Sequence, residues 1–225
     1  MKKQKLLPGQ EESTSSHGLT SANGKTLPKS IELSVLSFLD PDGWLELYSL
    51  SRENKTLVQA YLQRSCFHIQ LQASRTTTFS RQRAVMRLIQ RFATSLRTIL
   101  VSSQMGCFNW SDRESALFSQ WLRSVVRNNR GSLRKLEWSH TELERYDQDV
   151  LDVLSQCPHL QSFSTARNAI GMQTKLLTIA QNCKRLQHVS VPGSKESVVA
   201  EFLKTGVPLA RFIGFFFGLH VLFVS

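Results

Sequence analysis

Acidic residues are missing from one long segment of this chain. Between Asn54 and Ser111 there are eight lysines and arginines and not one aspartate or glutamate. The 225 residues carry 28 Lys and Arg against 17 Asp and Glu, a formal net charge of +11. Residues 1–53 hold six bases against seven acids, and residues 112–225 hold fourteen against ten, so most of the excess sits in that middle segment. Cysteine is sparse as well. Cys66, Cys107, Cys157 and Cys183 lie far apart with no Cys-x-x-Cys pair, which argues against a disulfide scaffold. A metal quartet of Cys157, His159, Cys183 and His188 matches the spacing of no common zinc module, so no metal site is expected. The N-terminus is polar and lysine-rich with no apolar core, unlike a signal peptide, and reduced thiols in a cytoplasmic or nuclear setting are expected.

Catalytic motifs are absent too. There is no phosphate-cradling glycine loop, no metal-binding helix pair, no Gly-x-Ser-x-Gly elbow and no paired carboxylates in a plausible cleft. The acids Glu142, Glu144, Asp147, Asp149 and Asp152 run into a helical pattern, where negative charge favours the helix dipole. The six histidines are scattered. No intrinsic enzyme and no cofactor are expected.

What is present begins with Leu27 to Arg52. Leu27-Pro28 opens the stretch, and proline suits the first turn of a helix because its missing N–H would be unpaired there anyway. Ile31, Val35, Phe38 and Leu39 follow at helical spacing, with Leu36 widening the stripe. Asp40-Pro41-Asp42-Gly43 carries turn chemistry, and a second apolar pattern runs from Trp44 through Leu47 and Leu50. A unit this short cannot bury its own apolar groups and must place them on a neighbour or a partner.

That pattern resembles the F-box, the module that docks substrate receptors onto the Skp-type adaptor of cullin–RING ubiquitin ligases. Leu27, Pro28, Ile31, Val35, Leu36, Ser37, Phe38 and Leu39 stand in corresponding places, Asp40-Pro41 matches the turn, and Leu50-Ser51-Arg52 matches the end. Ser30, Glu32 and Asn54 depart from the usual Glu, Leu and Trp. The resemblance implies an adaptor-binding set of Leu27, Pro28, Ile31, Val35, Leu36, Leu39, Trp44 and Leu47. It also implies that Glu32 sets a costly charge on the docking face.

The second half repeats itself. Cys157-Pro-His-Leu160-Gln-Ser-Phe163-Ser164 and Cys183-Lys-Arg-Leu186-Gln-His-Val189-Ser190 align without a gap at a period of 26 residues. Leu133-Arg-Lys-Leu136-Glu-Trp138 and Leu96-Arg-Thr-Ile99-Leu100 are further strand candidates. Apolar helical patterns follow at 116–126, 150–154, 176–180 and 198–203. Self-similarity at this period is the mark of a leucine-rich repeat, in which each strand–helix unit shares a core with the next. The cysteine three residues before a leucine resembles the cysteine-containing subclass of that family, and implies that Cys157 and Cys183 are small packing groups. It further implies an open strand face that binds a protein substrate through Lys135, Glu137, Gln161, Ser162, Gln187 and His188.

The expected fold is therefore α/β: an F-box-like helical module at 27–66, a basic helical linker or first-repeat cap at 67–95, and a short repeat solenoid at 96–208. Residues 1–26, rich in Ser, Thr, Gly and Lys, are expected to be disordered. The apolar segment 209–225 reads as a truncated repeat or an alternatively spliced end; a last strand and a marginal membrane anchor are the other options. The resemblance gives the chain the role of substrate receptor, with the Skp-type adaptor, a cullin–RING ligase and an unidentified substrate protein as partners and no specific nucleic acid. The rivals are a leucine-rich-repeat interaction module outside any ligase, and a peripheral membrane or nucleic-acid binder. The latter would use Arg81, Arg83, Arg87 and Arg91, which alternate with Val85, Leu88, Ile89 and Phe92 on one amphipathic helix.

Overall fold

In the computed structural model the first helix starts as the Leu-Pro signal requires. The Pro28 carbonyl accepts from the N–H groups of Ile31 and Glu32 (2.8 and 3.1 Å), and α1 runs over Lys29–Ser37. The structure describes residues 28–73, 78–103, 111–138, 147–165, 172–191, 200–202, 204–216 and 219–224. The 1–26 tail, Leu27 and Cys107 lie outside these residues.

Asp40-Pro41-Asp42-Gly43 does more than break the chain. The Asp40 carboxylate caps α2 (Pro41–Leu50) by accepting from Gly43 N–H at 2.7 Å, and Pro41 takes the first helical position. The second helix thus begins three residues before Trp44, where the apolar pattern alone would start it. Gly43 fits this close turn, where a Cβ would stand 3.3 Å from both Leu39 Cβ and Asp40 Oδ1 and would press on them. Ser51 caps α3 (Arg52–Arg64) through Asn54 N–H at 3.1 Å. Trp44 is enclosed between these helices: its indole N–H donates to the Leu36 carbonyl at 2.8 Å, and its ring packs 5.5 Å from Tyr61.

Six strands then lie parallel in chain order: β1 (His68–Ala73), β2 (Thr98–Ser103), β3 (Lys135–Trp138), β4 (Ser162–Thr165), β5 (His188–Ser190) and β6 (Arg211–Phe216). β7 (Leu219–Val224) closes the series antiparallel to β6. Between the strands run α4 (Phe79–Phe92), α5 (Asp112–Asn128), α6 (Asp147–Leu154) and α7 (Met172–Asn182), each packed on the next. This is an α/β protein built on a parallel sheet.

The sheet begins earlier than the repeat pattern suggests. Residues 67–95 are a full strand–helix unit whose strand pairs with β2 from His68↔Thr98 to Ala73↔Ser103. The core runs without a break from Leu36 to Leu209, and α2 touches both α4 and β1. At the other end, residues 211–216 and 219–224 of the apolar segment lie in the sheet as β6 and β7, as its last-strand option expects. No helix among the described residues is long and apolar enough to cross a membrane.

One bend recurs at the starts of β1 to β5. The Phe67 carbonyl accepts from Arg97 and Thr98, Arg97 from Arg134 and Lys135, Arg134 from Gln161 and Ser162, and Gln161 from Gln187 and His188, at 2.7–3.0 Å. One residue before each bend a buried side chain points inward: Cys66, Leu96, Leu133, Leu160 and Leu186. Two residues after it come Ile69, Ile99, Leu136, Phe163 and Val189, also buried. Burying one such side chain is worth about 1.5–3 kcal/mol, so these two columns carry much of the sheet's stability.

Asn129 ties one unit to the next from inside the core. Its Oδ1 accepts from Leu96 N–H at 2.8 Å, and its Nδ2 donates to the carbonyls of Ala93 (3.0 Å) and Val125 (2.9 Å). Cys183 has a related role, its S–H donating to the Leu154 carbonyl of the preceding unit at 3.6 Å. Asn129→Ala takes the side-chain partner from the Leu96 N–H and the Ala93 carbonyl, while the Val125 carbonyl keeps the residue 129 backbone N–H. The substitution is expected to lower stability by about 2–3 kcal/mol, read as a reduced urea midpoint at unchanged m-value; a loss under ~1 kcal/mol would reject the bridging role.

Candidate functional site

Strand periodicity sorts the sheet residues onto two faces. Ile69, Ile99, Leu136, Trp138, Phe163 and Val189 enter the helix-side core. The opposite face is open and forms two lateral rows set by the register. One row is His68, Thr98, Lys135, Ser162 and His188, and it continues at the backbone of Arg211. The other is Gln70, Leu100, Glu137, Ser164 and Ser190.

Lys135, Glu137, Ser162 and His188 are thus brought together on the open face. Lys135 Nζ stands 3.1 Å from Glu137 Oε2, with both side chains about two-fifths exposed, so the middle of the face holds a neutralised pair. Lys135, Ser162, Ser164, His188 and Ser190 line a shallow depression of about 290 Å³. Its chemistry is hydroxyl, ammonium and imidazole, suited to polar contact with an extended segment. Gln161 and Gln187 do not belong to this face. They sit at the bend one residue before their strands, where backbone hydrogen bonding fixes them at the sheet's edge.

A second surface lies on α1. Ile31 (47% exposed), Val35 (38%) and Phe38 (88%) follow one helical face beside the exposed Pro28, and Leu50 at the end of α2 is also open (71%). The opposite side of α1 is internal. Leu36 and Trp44 are enclosed in the chain's own core, and Leu39 and Leu47 pack against that core. Leu36 and Trp44 therefore cannot offer their side chains to a partner without unfolding α1 and α2. Glu32, expected on the docking face, is buried (7% exposed) on the same inner side as Leu36, one helical turn away. Phe38 and Leu50, the most exposed large apolar groups described, were readable only as part of an apolar stripe.

The cationic face of α4 is also reorganised. Arg81 is drawn to α2, its guanidinium 2.7 Å from Asp42 Oδ1 and 2.5 Å from Glu46 Oε1. The hydrogen bond to Asp42, and then that to Glu46, raises its pKa further. Arg83 and Arg87 remain exposed.

The thiols are placed for packing. Burial pushes Cys157 up to about 12, with Cys183 adding to the effect and Arg130 opposing it. Burial takes Cys183 to about 11, against a hydrogen bond involving Cys157, and Cys66 to about 12, against hydrogen bonds with Tyr61 and His68. A thiolate nucleophile is therefore disfavoured at all three positions. The imagined quartet does not converge on a metal: Cys157 and Cys183 are internal while His188 is on the open face, and no metal-capable cluster of three or more His, Cys, Asp or Glu exists among the described residues.

Since the folded thiols titrate above the unfolded value of about 8.5, their neutral form favours folding. That contribution is complete below pH ~8.5 and is lost as pH rises toward 11–12. Stability should fall by up to about 1.4 kcal/mol per pH unit per thiol above pH ~9. In a Cys107→Ser background, a thiol reagent at pH 8 should label Cys66, Cys157 and Cys183 only after denaturation; rapid labelling of the folded chain would contradict their burial. Neither a family model nor a curated protein matches this chain.

Proposed function

We propose that this chain is a non-catalytic substrate receptor of a Skp–cullin–F-box ubiquitin ligase. In this reading α1–α3 are the F-box-like module, and the parallel sheet is a short solenoid of cysteine-containing leucine-rich repeats. The observation that carries it is the Ile31, Val35 and Phe38 stripe, exposed at the end of the molecule on a helical unit whose remaining apolar groups are internal. A contiguous apolar stripe is costly to leave in water and marks a surface meant to be covered. Glu32 no longer counts against docking, because it is absent from that stripe.

The open strand face, with Lys135, Glu137, Ser162 and His188, receives the substrate protein. The adaptor side links it to the ligase. Catalysis belongs to the partners, and this chain acts by raising the effective concentration of an acceptor lysine near the loaded enzyme. The membrane reading of 209–225 gains no support from a segment whose backbone pairs within the sheet.

The purified full chain should capture a purified Skp-type adaptor. Ile31→Glu with Phe38→Glu should weaken capture at least ~30-fold, as expected when apolar anchors at an interface centre become charged, with little change in thermal midpoint. Leu36→Ala should instead lower stability by about 2–5 kcal/mol, because it leaves a cavity. Failure of the wild-type chain to bind the adaptor would reject the ligase reading in favour of a stand-alone interaction module. Capture unaffected by the double change would reject this docking face.

A further inference from the structure

The cations of Asn54–Ser111 divide in the fold: Arg81, Arg83 and Arg87 lie along α4, while Arg64, Arg91 and Arg97 fall where the strands begin and are joined there by cations from later units. The bends that precede the strands stack into one edge of the sheet, joined by the carbonyl ladder from Phe67 through Arg97, Arg134 and Gln161 to Gln187. The stretches forming that edge, residues 64–67, 91–97, 127–135, 155–161 and 182–187, contain no aspartate or glutamate at all. They contain Arg97, Arg130, Arg134, Lys184 and Arg185 in the bends, every one exposed. Arg64, Arg91 and Arg127 add charge from the last turns of α3, α4 and α5 and are exposed as well. None of these side chains forms an ion pair among the described residues. The acids that do form pairs lie elsewhere: Asp42 and Glu46 on α2, Glu137 on the strand face, Asp149 and Asp152 on α6, and Glu201 near the end.

Helix dipoles account for part of this pattern and no more. A cation in the last helical turn is favoured, but the effect fades within that turn. Arg97, Arg130, Arg134, Lys184 and Arg185 lie beyond the helices, and stacking them on strands ~4.8 Å apart builds repulsion that folding alone does not call for. A linear polyanion offsets that repulsion where the cations lie, on either side of residues 155–161, which hold no lysine or arginine. The side chains are mostly arginine, whose planar fork suits phosphate oxygens. The edge also carries a stacking element. Phe67 is exposed, and the exposed Arg97 guanidinium lies over its ring at 4.6 Å. Aromatic rings and guanidinium planes are the surfaces on which unpaired bases stack, whereas an acidic peptide makes no use of them. A lipid surface would call for several apolar groups at the same edge, and Phe67 is the one large apolar side chain there that is exposed among the described residues.

We propose that this edge binds single-stranded nucleic acid without regard to sequence, the arginines holding phosphates and the Phe67–Arg97 pair stacking a base. This goes beyond the receptor reading and does not depend on it, since the edge is separate from both the α1 stripe and the open strand face.

The test uses the full chain and a fluorescein-labelled oligothymidylate of about 20 nucleotides, followed by anisotropy. With roughly four phosphates neutralised, log K should fall against log salt with a slope near −3, about 50-fold between 50 and 200 mM. Arg130→Gln, Arg134→Gln and Arg185→Gln combined should flatten the slope by about 2, since each phosphate contact on a single strand is worth about 0.7. Phe67→Ala should weaken binding about tenfold with the slope unchanged. Arg83→Gln with Arg87→Gln, on exposed α4, should leave binding as it was, and circular dichroism should show all variants folded. The proposal is overturned by no binding at 50 mM salt, by a triple variant that binds like the wild type, or by loss of binding in the α4 variant instead. It is equally overturned if polyglutamate of matched charge competes as well as unlabelled oligonucleotide, or if the chain binds phosphatidylserine vesicles and not the oligonucleotide.

Discussion

Everything in the sheet hangs on one hydrogen-bonded bend. A single carbonyl accepts two amides from the next unit, and a buried side chain immediately before it locks the bend against the helices. The geometry has a direction, so β1 to β6 each lie parallel to the last, one place further along. It also sends alternate strand side chains to opposite fates. Half are buried against the helices, and the rest form an open face that packing does not constrain. The unit cannot stand alone, because its buried columns are completed by its neighbours. The ends show how this is met: α2 packs on β1, and β7 turns back on β6 to pair its outer edge.

The same stacking that builds the core also sorts charge. A bend of one unit lies beside the bend of the next, so whatever sits there is repeated as a line. At the bends that line is Phe67, Arg97, Arg134, Gln161 and Gln187, with further cations beside it and no acid; on the open face it is hydroxyl and imidazole, with Lys135 neutralised by Glu137. A cation elsewhere can be consumed by the fold, as Arg81 is by Asp42 and Glu46. Net charge by itself therefore says little about which surface attracts a partner. Position relative to the repeat says more.

Much of the architecture was readable from local pattern. Leu96, Leu133, Leu160 and Leu186 announced their strands because a leucine before the bend and an apolar residue three places later recur at nearly constant spacing. Apart from α3, the helices were readable from amphipathic stripes, and α4 buries Val85, Leu88, Ile89 and Phe92 as its pattern required. The strand at His68–Ala73 escaped notice because Cys66 stands where the other units have leucine. The alternation His68-Ile69-Gln70-Leu71 was the signal for it. Lys135, Glu137, Ser162 and His188 were legible as face residues, since position within a strand decides which way a side chain points.

The remainder depended on contacts between segments distant in the chain. Whether Leu36 or Phe38 faces water is a question of where α3 lies, and an apolar stripe looks alike whether it meets its own core or a partner. The inward placement of Glu32, the capture of Arg81 by residues 35 and 39 positions away, and the bridge from Asn129 to Leu96 belong to the same class. Periodicity, capping and turn chemistry are set by residues within a few positions of each other, so the primary structure carries them directly. The identity of the exposed stripe and the line of charge along the bends came only with the stacking of units, because that stacking brings residues 26 to 37 positions apart into adjacent places.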